Sequence, residues 1–351
     1  MNSSGDDPIW IDWVATRFGF GRLASALPGS PAPAYVFIGC FVTIDIAIRI
    51  YQTVTGIRPI LVNNPLWLAQ EVALVGAVVA AKWIHNEYRW VLDRMAIDDR
   101  VSDPGRFKKL APERFLWLGF VLGAAGWWAF ALFVVTPAEA IQVGGPLALV
   151  TGLVIIPLVY VPVAIEFLTA YLGVVVLFPR RIIQSGLKPY FPDPERVGGF
   201  RPVGELIKSA YYLLMIGLVV FALRAYLPHI TAVFASEGDP PGVIYNLIFT
   251  SIWVVSIITV AYGILVLHLF LRREKRETLK NLDEQVRDHY DAPWEIHEFR
   301  EPTDVTEYER LRQRIEYVKQ TKEYPGTFSM WSQLLLGLVI PKAVQLLLAQ
   351  L

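Results

Sequence analysis

Apolar stretches separated by short charged segments dominate the chain. Seven of them are long enough to cross a bilayer, at about residues 34–56, 66–84, 115–136, 146–178, 206–227, 243–271 and 331–351. A helix rises about 1.5 Å per residue and a hydrocarbon core is about 30 Å thick, so roughly 20 residues make one crossing. The pattern predicts an all-α polytopic membrane protein with seven transmembrane helices.

The fourth apolar stretch is longer than one crossing needs. Residues 146–178 contain a single charged side chain, Glu166. The stretch is too long for one perpendicular helix and too short for two helices with a turn. We therefore predict one tilted helix that projects beyond the bilayer and is kinked at Pro157 and Pro162.

Residues 272–330 predict a helical cytoplasmic region between the last two spans. The sequence after residue 271 keeps a helix-forming composition without Gly or Pro, so we expect the sixth helix to continue out of the membrane. Residues 303–323 then predict an amphipathic helix that needs a partner. Its apolar face consists of Val305, Tyr308, Leu311, Ile315 and Val318. With the cytoplasmic loops 85–114 and 179–205, this region predicts a compact helical domain below the bilayer.

The N-terminal segment, residues 1–33, precedes the first span. Residues 8–28 alternate apolar and polar side chains at helical spacing, which predicts an amphipathic helix ended by prolines. Two placements stay open: in the membrane interface, or packed on the protein's own cytoplasmic surface. The first residues are acidic where a signal peptide is basic, so we expect the segment to be retained.

The distribution of Lys and Arg predicts the orientation. Residues 85–114 hold seven, 179–208 hold six and 272–330 hold twelve. The other loops hold one at 57–65 and none at 137–145 or 228–242. Cytoplasmic loops of membrane proteins are enriched in positive residues. We therefore expect a multi-pass protein of the cell membrane with its N-terminus in the cytoplasm and its C-terminus outside.

Composition agrees with a membrane protein and argues against several soluble classes. The chain is 54% hydrophobic and 18% charged, with a mean hydropathy of +0.42. Its one cysteine, Cys40, allows neither an intrachain disulfide nor a cysteine metal cluster. No nucleotide-binding, hydrolase or metalloprotease motif occurs, and the triplet His85, Asn86 and Glu87 has no second histidine at metal-binding spacing. We expect no enzymatic activity, no cofactor, no metal and no nucleic-acid partner.

Charged side chains inside the predicted spans are candidates for a ligand pocket, because each is costly in lipid. Asp45 and Arg49 lie four residues apart, so they can pair on one helix face, either as a structural pair or as part of a site. Glu71 and Trp67 lie in the outer half of the second span. Glu166 lies in the fourth span, either deep in the bilayer or near the cytoplasmic interface.

The segment from Asp193 to Gly199 is the most motif-like cytoplasmic turn. Gly198 and Gly199 can take positive φ, and Arg196 lies beside them. Two interpretations stay open: a turn built for its own geometry, or backbone donors and basic side chains that bind an anion or lipid headgroup.

The last span carries a cation. Lys342 follows Pro341 near the middle of 331–351, where a lysine costs about 2.5–3.5 kcal/mol on insertion scales. It can pair with a carboxylate of another span, reach an interface or line a wet pathway. At about 100° per residue, Leu338, Lys342 and Gln345 share one side of the helix. Gly337 lies opposite, where a neighbouring helix could approach closely.

The predicted layout resembles the seven-transmembrane ion channel superfamily that includes insect odorant and gustatory receptors. The shared features are an N-terminus inside, overlong fourth and sixth helices, a cytoplasmic helix before the seventh span, and a chain that ends with that span. The Thr-Tyr and Gln-Phe signature of the insect receptors' last helix is absent from 331–351. No residue is therefore carried over by motif.

The resemblance implies a homotetrameric, ligand- or stimulus-gated channel with the last helix around a central pore. The pore-lining candidates are then Leu338, Pro341, Lys342 and Gln345. Its partners would be the lipid bilayer, copies of itself, and an ion or small molecule. The alternative is a secondary transporter or a membrane scaffold with a cytoplasmic helical domain. We find no inverted repeat of the kind that transporters usually carry.

Overall fold

The computed structural model describes residues 8–57, 67–133, 136–230, 243–288, 305–324 and 328–350. These residues form helices joined by turns, and no strand occurs among them. The predicted all-α class is confirmed. Residues 1–7 of the N-terminal segment and 289–304 of the cytoplasmic region lie outside the described residues.

Eleven helices of seven or more residues organise this part of the chain, and the short helices Ile97–Arg100 and Pro104–Phe107 lie in the connection after the fourth of them. They are α1 (Trp10–Arg17), α2 (Phe20–Ala26), α3 (Pro33–Val54), α4 (Leu68–Arg94), α5 (Glu113–Phe133), α6 (Pro137–Gly144), α7 (Leu147–Gln184), α8 (Arg201–Ile230), α9 (Val243–Arg287), α10 (Val305–Gln320) and α11 (Phe328–Gln350). Six helices, α3, α4, α5, α7, α8 and α9, are long and apolar enough to cross a membrane. Helix α11 covers the seventh predicted span, and its crossing stays a prediction.

Helix α7 is one run of 38 residues, as predicted for the fourth apolar stretch. Two of its segments, Thr151–Tyr160 and Gly173–Leu177, are wound as π-helix. Pro157 lies inside the first, and Pro162 follows it directly. Proline lacks an N–H and its ring clashes with the carbonyl one turn earlier, so the helix widens instead of breaking.

Helix α9 continues for 45 residues, well beyond one membrane crossing. Its C-terminal half provides the partner that the amphipathic α10 needs. Leu311 and Val318 of α10 are buried in one apolar cluster with Leu282 of α9. The Nζ atom of Lys275 in α9 donates to the carbonyl oxygens of Lys319 at 2.9 Å and Thr321 at 2.6 Å, which caps the end of α10. The long helix and the partner of α10 are both present, and their position outside the membrane stays a prediction.

Basic connections meet at one end of the bundle. Arg181 donates from Nη1 to the Lys109 carbonyl oxygen at 2.6 Å, and the Lys322 amide donates to the Arg196 carbonyl oxygen at 2.6 Å. We call this the basic end, and the opposite end the far end. The membrane side that each end faces stays a prediction.

The N-terminal segment packs on the protein. Helices α1 and α2 are separated at Gly19, whose φ is +89°, so the prediction of one helix over residues 8–28 is wrong. Asp12 explains the packing: its carboxylate lies 2.9 Å from the Lys82 Nζ atom and accepts the Ala34 amide at 2.9 Å. Asp12 and Lys82 are both buried. The segment therefore packs on α3 and α4, and its placement relative to the membrane interface stays a prediction.

Candidate functional site

Charged and polar groups from three helices meet near the far end. The Arg49 Nε atom lies 3.3 Å from the Asp45 carboxylate, and the Thr151 hydroxyl donates to the same carboxylate at 3.3 Å. The Tyr160 hydroxyl donates to Glu71 in a short hydrogen bond. We call Asp45, Arg49, Glu71, Thr151 and Tyr160 the far-end cluster. It joins α3, α4 and the π-helical part of α7.

The structure brings together four of the five predicted pocket residues. The guanidinium of Arg49 lies 6.0 Å from the centre of the Trp67 ring, within cation–π range. Asp45 and Glu71 are both buried, and the second carboxylate oxygen of Glu71 has no hydrogen-bond partner among the described residues. The cluster contains two carboxylates and one guanidinium, which leaves a formal surplus of one negative charge when both carboxylates are ionised. Such a cluster favours a cation or a proton.

A cavity of about 310 Å³ adjoins the far-end cluster. Arg49, Gln52, Thr151, Trp127 and Glu139 contribute to its wall. Gln52 is fixed there because its Nε2 donates to the Gly144 carbonyl oxygen at 2.6 Å. The volume lies at the lower limit of small-molecule sites, so the cavity suits an ion or a small solute.

Glu166, the fifth pocket candidate, lies elsewhere. It is 1% exposed and its Oε1 atom lies 3.3 Å from the His85 Nε2 atom. His85 therefore pairs with Glu166 of α7 and not with Glu87 of its own triplet. Sequence spacing could not reveal this pair, since the partners lie on different helices.

The structure turns the polar residues of α11 toward the chain's own bundle. The Lys342 Nζ atom donates to the Thr250 hydroxyl at 3.0 Å and to the Gln345 Oε1 atom at 2.6 Å. The rings of Phe249 and Trp253 lie 5.9 and 5.8 Å from the same Nζ atom. Among the described residues, Lys342 thus contacts neutral oxygens and aromatic rings, rather than the carboxylate that one prediction gave it.

Gln345 extends this arrangement between α8 and α9. Its Nε2 atom donates to the Tyr226 hydroxyl at 3.1 Å and to the Asn246 Oδ1 atom at 2.9 Å. Pro341 is also buried, and the side chain of Leu338 lies outside the described residues. The candidates Pro341, Lys342 and Gln345 therefore face inward in a single chain.

Gly337 provides close contact between α11 and α8. A Cβ atom at this position would lie 3.0 Å from the rings of both Tyr211 and Tyr212. The expectation that a neighbouring helix approaches closely at Gly337 is confirmed. Aromatic side chains of α8 occupy the space that a side chain would take.

The turn at Asp193 is held by its own carboxylate. Asp193 accepts backbone N–H groups from Glu195 at 3.1 Å, Val197 at 3.1 Å and Gly199 at 2.8 Å. Gly198 and Gly199 have φ of +66° and +79°, and Arg196 has +59°. The donors that an external anion would need are occupied by Asp193. The structure therefore favours the turn-building interpretation over the anion site.

Among the described residues, no group of three or more His, Cys, Asp or Glu side chains could hold a metal ion. No protein-family model matches the chain, and no similar chain is found among curated proteins or solved structures. Six apolar helices of membrane-spanning length indicate a membrane-embedded α-helical protein. The polar groups buried among them are its candidate functional sites.

Proposed function

We propose that the protein is a homotetrameric, ligand- or stimulus-gated ion channel in which copies of α11 surround a shared axis. One observation carries the proposal. Helix α11 packs chiefly on α8, turns its polar side chains inward and leaves an apolar stripe exposed. The stripe consists of Leu336, Val339, Ile340, Leu346 and Leu347.

The stripe occupies one face of α11 at about 100° per residue. Four such faces around an axis form a narrow apolar constriction, which closes a pore by excluding water. Lys342 lies at the edge of the stripe, and Gln345 lies on the opposite, buried face of the helix. Rotation of α11 about its own axis exchanges apolar for polar side chains at the constriction, and this exchange opens the pore.

Cysteine accessibility tests the arrangement of α11. The chain has one cysteine, Cys40, so a Cys40→Ala background gives a clean starting point. Val339→Cys places a thiol on the stripe, and Val121→Cys places one on α5. The two valines are a matched pair, because they are 55% and 57% exposed in the chain.

We expect purified, reconstituted protein to conduct ions and a membrane-impermeant cationic thiol reagent to block Val339→Cys but not Val121→Cys. Oxidation should also cross-link Val339→Cys between subunits. Absence of ion conduction would contradict the channel proposal. So would an equal effect of the thiol reagent on the currents of the two cysteine variants.

A second candidate is a secondary transporter, and a specific observation favours it. Helices α4 and α7 share polar pairs at two depths, Glu71 with Tyr160 and His85 with Glu166. Ionisable groups along one helix pair are typical of ion and proton pathways. A solute flux that saturates with solute concentration and is lost in Glu71→Gln would favour the transporter over the channel, provided that no unitary currents are recorded.

A further inference from the structure

A larger cavity of about 810 Å³ lies at the basic end, remote from the far-end cluster. Helices α1, α4, α5 and α7 line this half-open cavity together with residues 30–33 and the connection around residue 109. Its wall combines tryptophans, basic groups and two buried carboxylates, Asp12 and Glu166. Trp10, Trp117, His85, Arg89, Lys108 and Glu166 represent them.

Asp12 is held by Lys82 and by the Ala34 amide. Glu166, by contrast, is only partly satisfied. Its Oε1 atom is paired with His85, whereas its Oε2 atom has no hydrogen-bond partner among the described residues. A buried carboxylate oxygen is strongly destabilising without a donor. A primary ammonium is the small group best suited to fill this position, because it carries a positive charge and three N–H donors.

Basic side chains stand on the wall of the same cavity. Arg89 and Lys108 both contribute to it, and Lys108 is exposed. The neighbouring Lys109 is paired with Glu113 at 2.6 Å. Arginine and lysine are the usual protein ligands of phosphate groups.

Tryptophans form the apolar part of the wall. The rings of Trp10 and Trp117 meet edge to face with centroids 5.2 Å apart, and Trp13 contacts Trp117 at 5.6 Å. Tryptophan is enriched where membrane proteins cross the headgroup region. These tryptophan rings provide an apolar surface for the glycerol group and the first acyl carbons of a lipid.

We propose that the cavity binds a primary-amine phosphate group of the phosphoethanolamine type. The ammonium donates to Glu166, the phosphate lies against Arg89 and Lys108, and attached acyl chains pack on Trp10 and Trp117. A phospholipid headgroup and free phosphoethanolamine share this chemistry. The site is independent of the channel proposal, since it uses no residue of α11 and its test measures binding only.

Native mass spectrometry of the full-length protein in detergent tests the site with three phospholipids that have the same acyl chains. Phosphatidylethanolamine has the ammonium donors, phosphatidylcholine replaces them with methyl groups, and phosphatidylglycerol lacks the amine. We expect roughly tenfold tighter binding of phosphatidylethanolamine than of the other two. This comparison uses the unaltered protein, so it does not depend on the folding of any variant.

Variants then assign the contacts. Glu166→Gln should remove the preference for phosphatidylethanolamine, because it removes the negative charge at nearly constant volume. Lys108→Gln should weaken all three lipids by roughly threefold. Lys188→Gln is the matched control, since Lys188 is exposed at the same end but does not line the cavity.

Soluble phosphoethanolamine distinguishes the two sources of the ligand. If phosphoethanolamine displaces phosphatidylethanolamine when the two are present at equal concentration, the free compound is the ligand. If the lipid stays bound, the lipid is the ligand. Both outcomes support the site. Equal binding of the three lipids to the unaltered protein would overturn the proposal. So would a phosphatidylethanolamine preference that survives in folded Glu166→Gln.

Discussion

The two halves of the helix bundle bury different chemistry. Around α3, α4 and α7, buried charges meet in pairs, such as Asp12 with Lys82 and Glu166 with His85. Around α8, α9 and α11, aromatic side chains contribute to the interior, and the described contacts of Lys342 and Gln345 are with hydroxyl, amide and ring groups rather than with a carboxylate. Buried charges depend on partners, whereas aromatic packing depends on shape. The first half is therefore suited to binding and the second to holding helices in position.

The largest effect is expected from a variant that breaks a charge pair in the first half. Lys82→Met leaves the buried Asp12 carboxylate without its cation, and we expect a loss of about 3–5 kcal/mol in folding stability. Replacing both partners, with Asp12→Asn added, should recover more than half of this loss. Thermal unfolding followed by tryptophan fluorescence gives the comparison. A double variant no more stable than Lys82→Met would show that charge is not what this pair contributes.

A substitution in the second half tests whether close packing contributes to stability there. A Cβ atom at Gly263 of α9 would overlap the Val175 carbonyl oxygen of α7, and a backbone atom cannot move aside. We expect Gly263→Ala to cost about 1–3 kcal/mol. Gly217→Ala in α8 is the control, because nothing lies within 4 Å of its added Cβ atom. The same unfolding measurement applies, and equal stability of the two variants would contradict tight packing at Gly263.

The smallest expected effect lies outside both halves, in the Asp193 turn. Asp193→Ala removes the acceptor of three backbone N–H groups, and we expect a local loss of about 1–2 kcal/mol. Hydrogen exchange should accelerate across residues 193–199 while the bundle's unfolding temperature changes little. Glu195→Ala is the control, because its exposed pair with Arg201 contributes under about 1 kcal/mol. Unchanged exchange in Asp193→Ala would disprove the role of its carboxylate.

Much of the fold follows from patterns that are local in the sequence. The run of apolar residues in α7, the uninterrupted composition of α9 and the apolar face of α10 each predict a helix without reference to its neighbours. The Asp193 turn is local for the same reason, since its donors lie within six residues of the carboxylate. Gly19 shows the limit, because a single left-handed residue divides a periodic segment into two helices.

The sites were harder to predict because their partners lie on different helices. Asp45 and Arg49 are one turn apart, so their pairing could be predicted from spacing. His85 and Glu166 are far apart in sequence, and so are Asp12 and Lys82, so spacing predicts neither pair. The rotation of α11 about its axis, which directs Lys342 inward, is set by packing on α8 and α9 rather than by its own sequence.

The length of α9 has a mechanical consequence. Its 45 residues form a rod of about 67 Å, roughly twice the thickness of a hydrocarbon core. Near one end Thr250 accepts the hydrogen bond of Lys342, and toward the other Lys275 holds the end of α10. Thr250 and Lys275 are about 37 Å apart along the helix, so a tilt of about 5° displaces one by roughly 3 Å relative to the other. A small force applied to α10 at the basic end therefore reaches Lys342 as a lever movement.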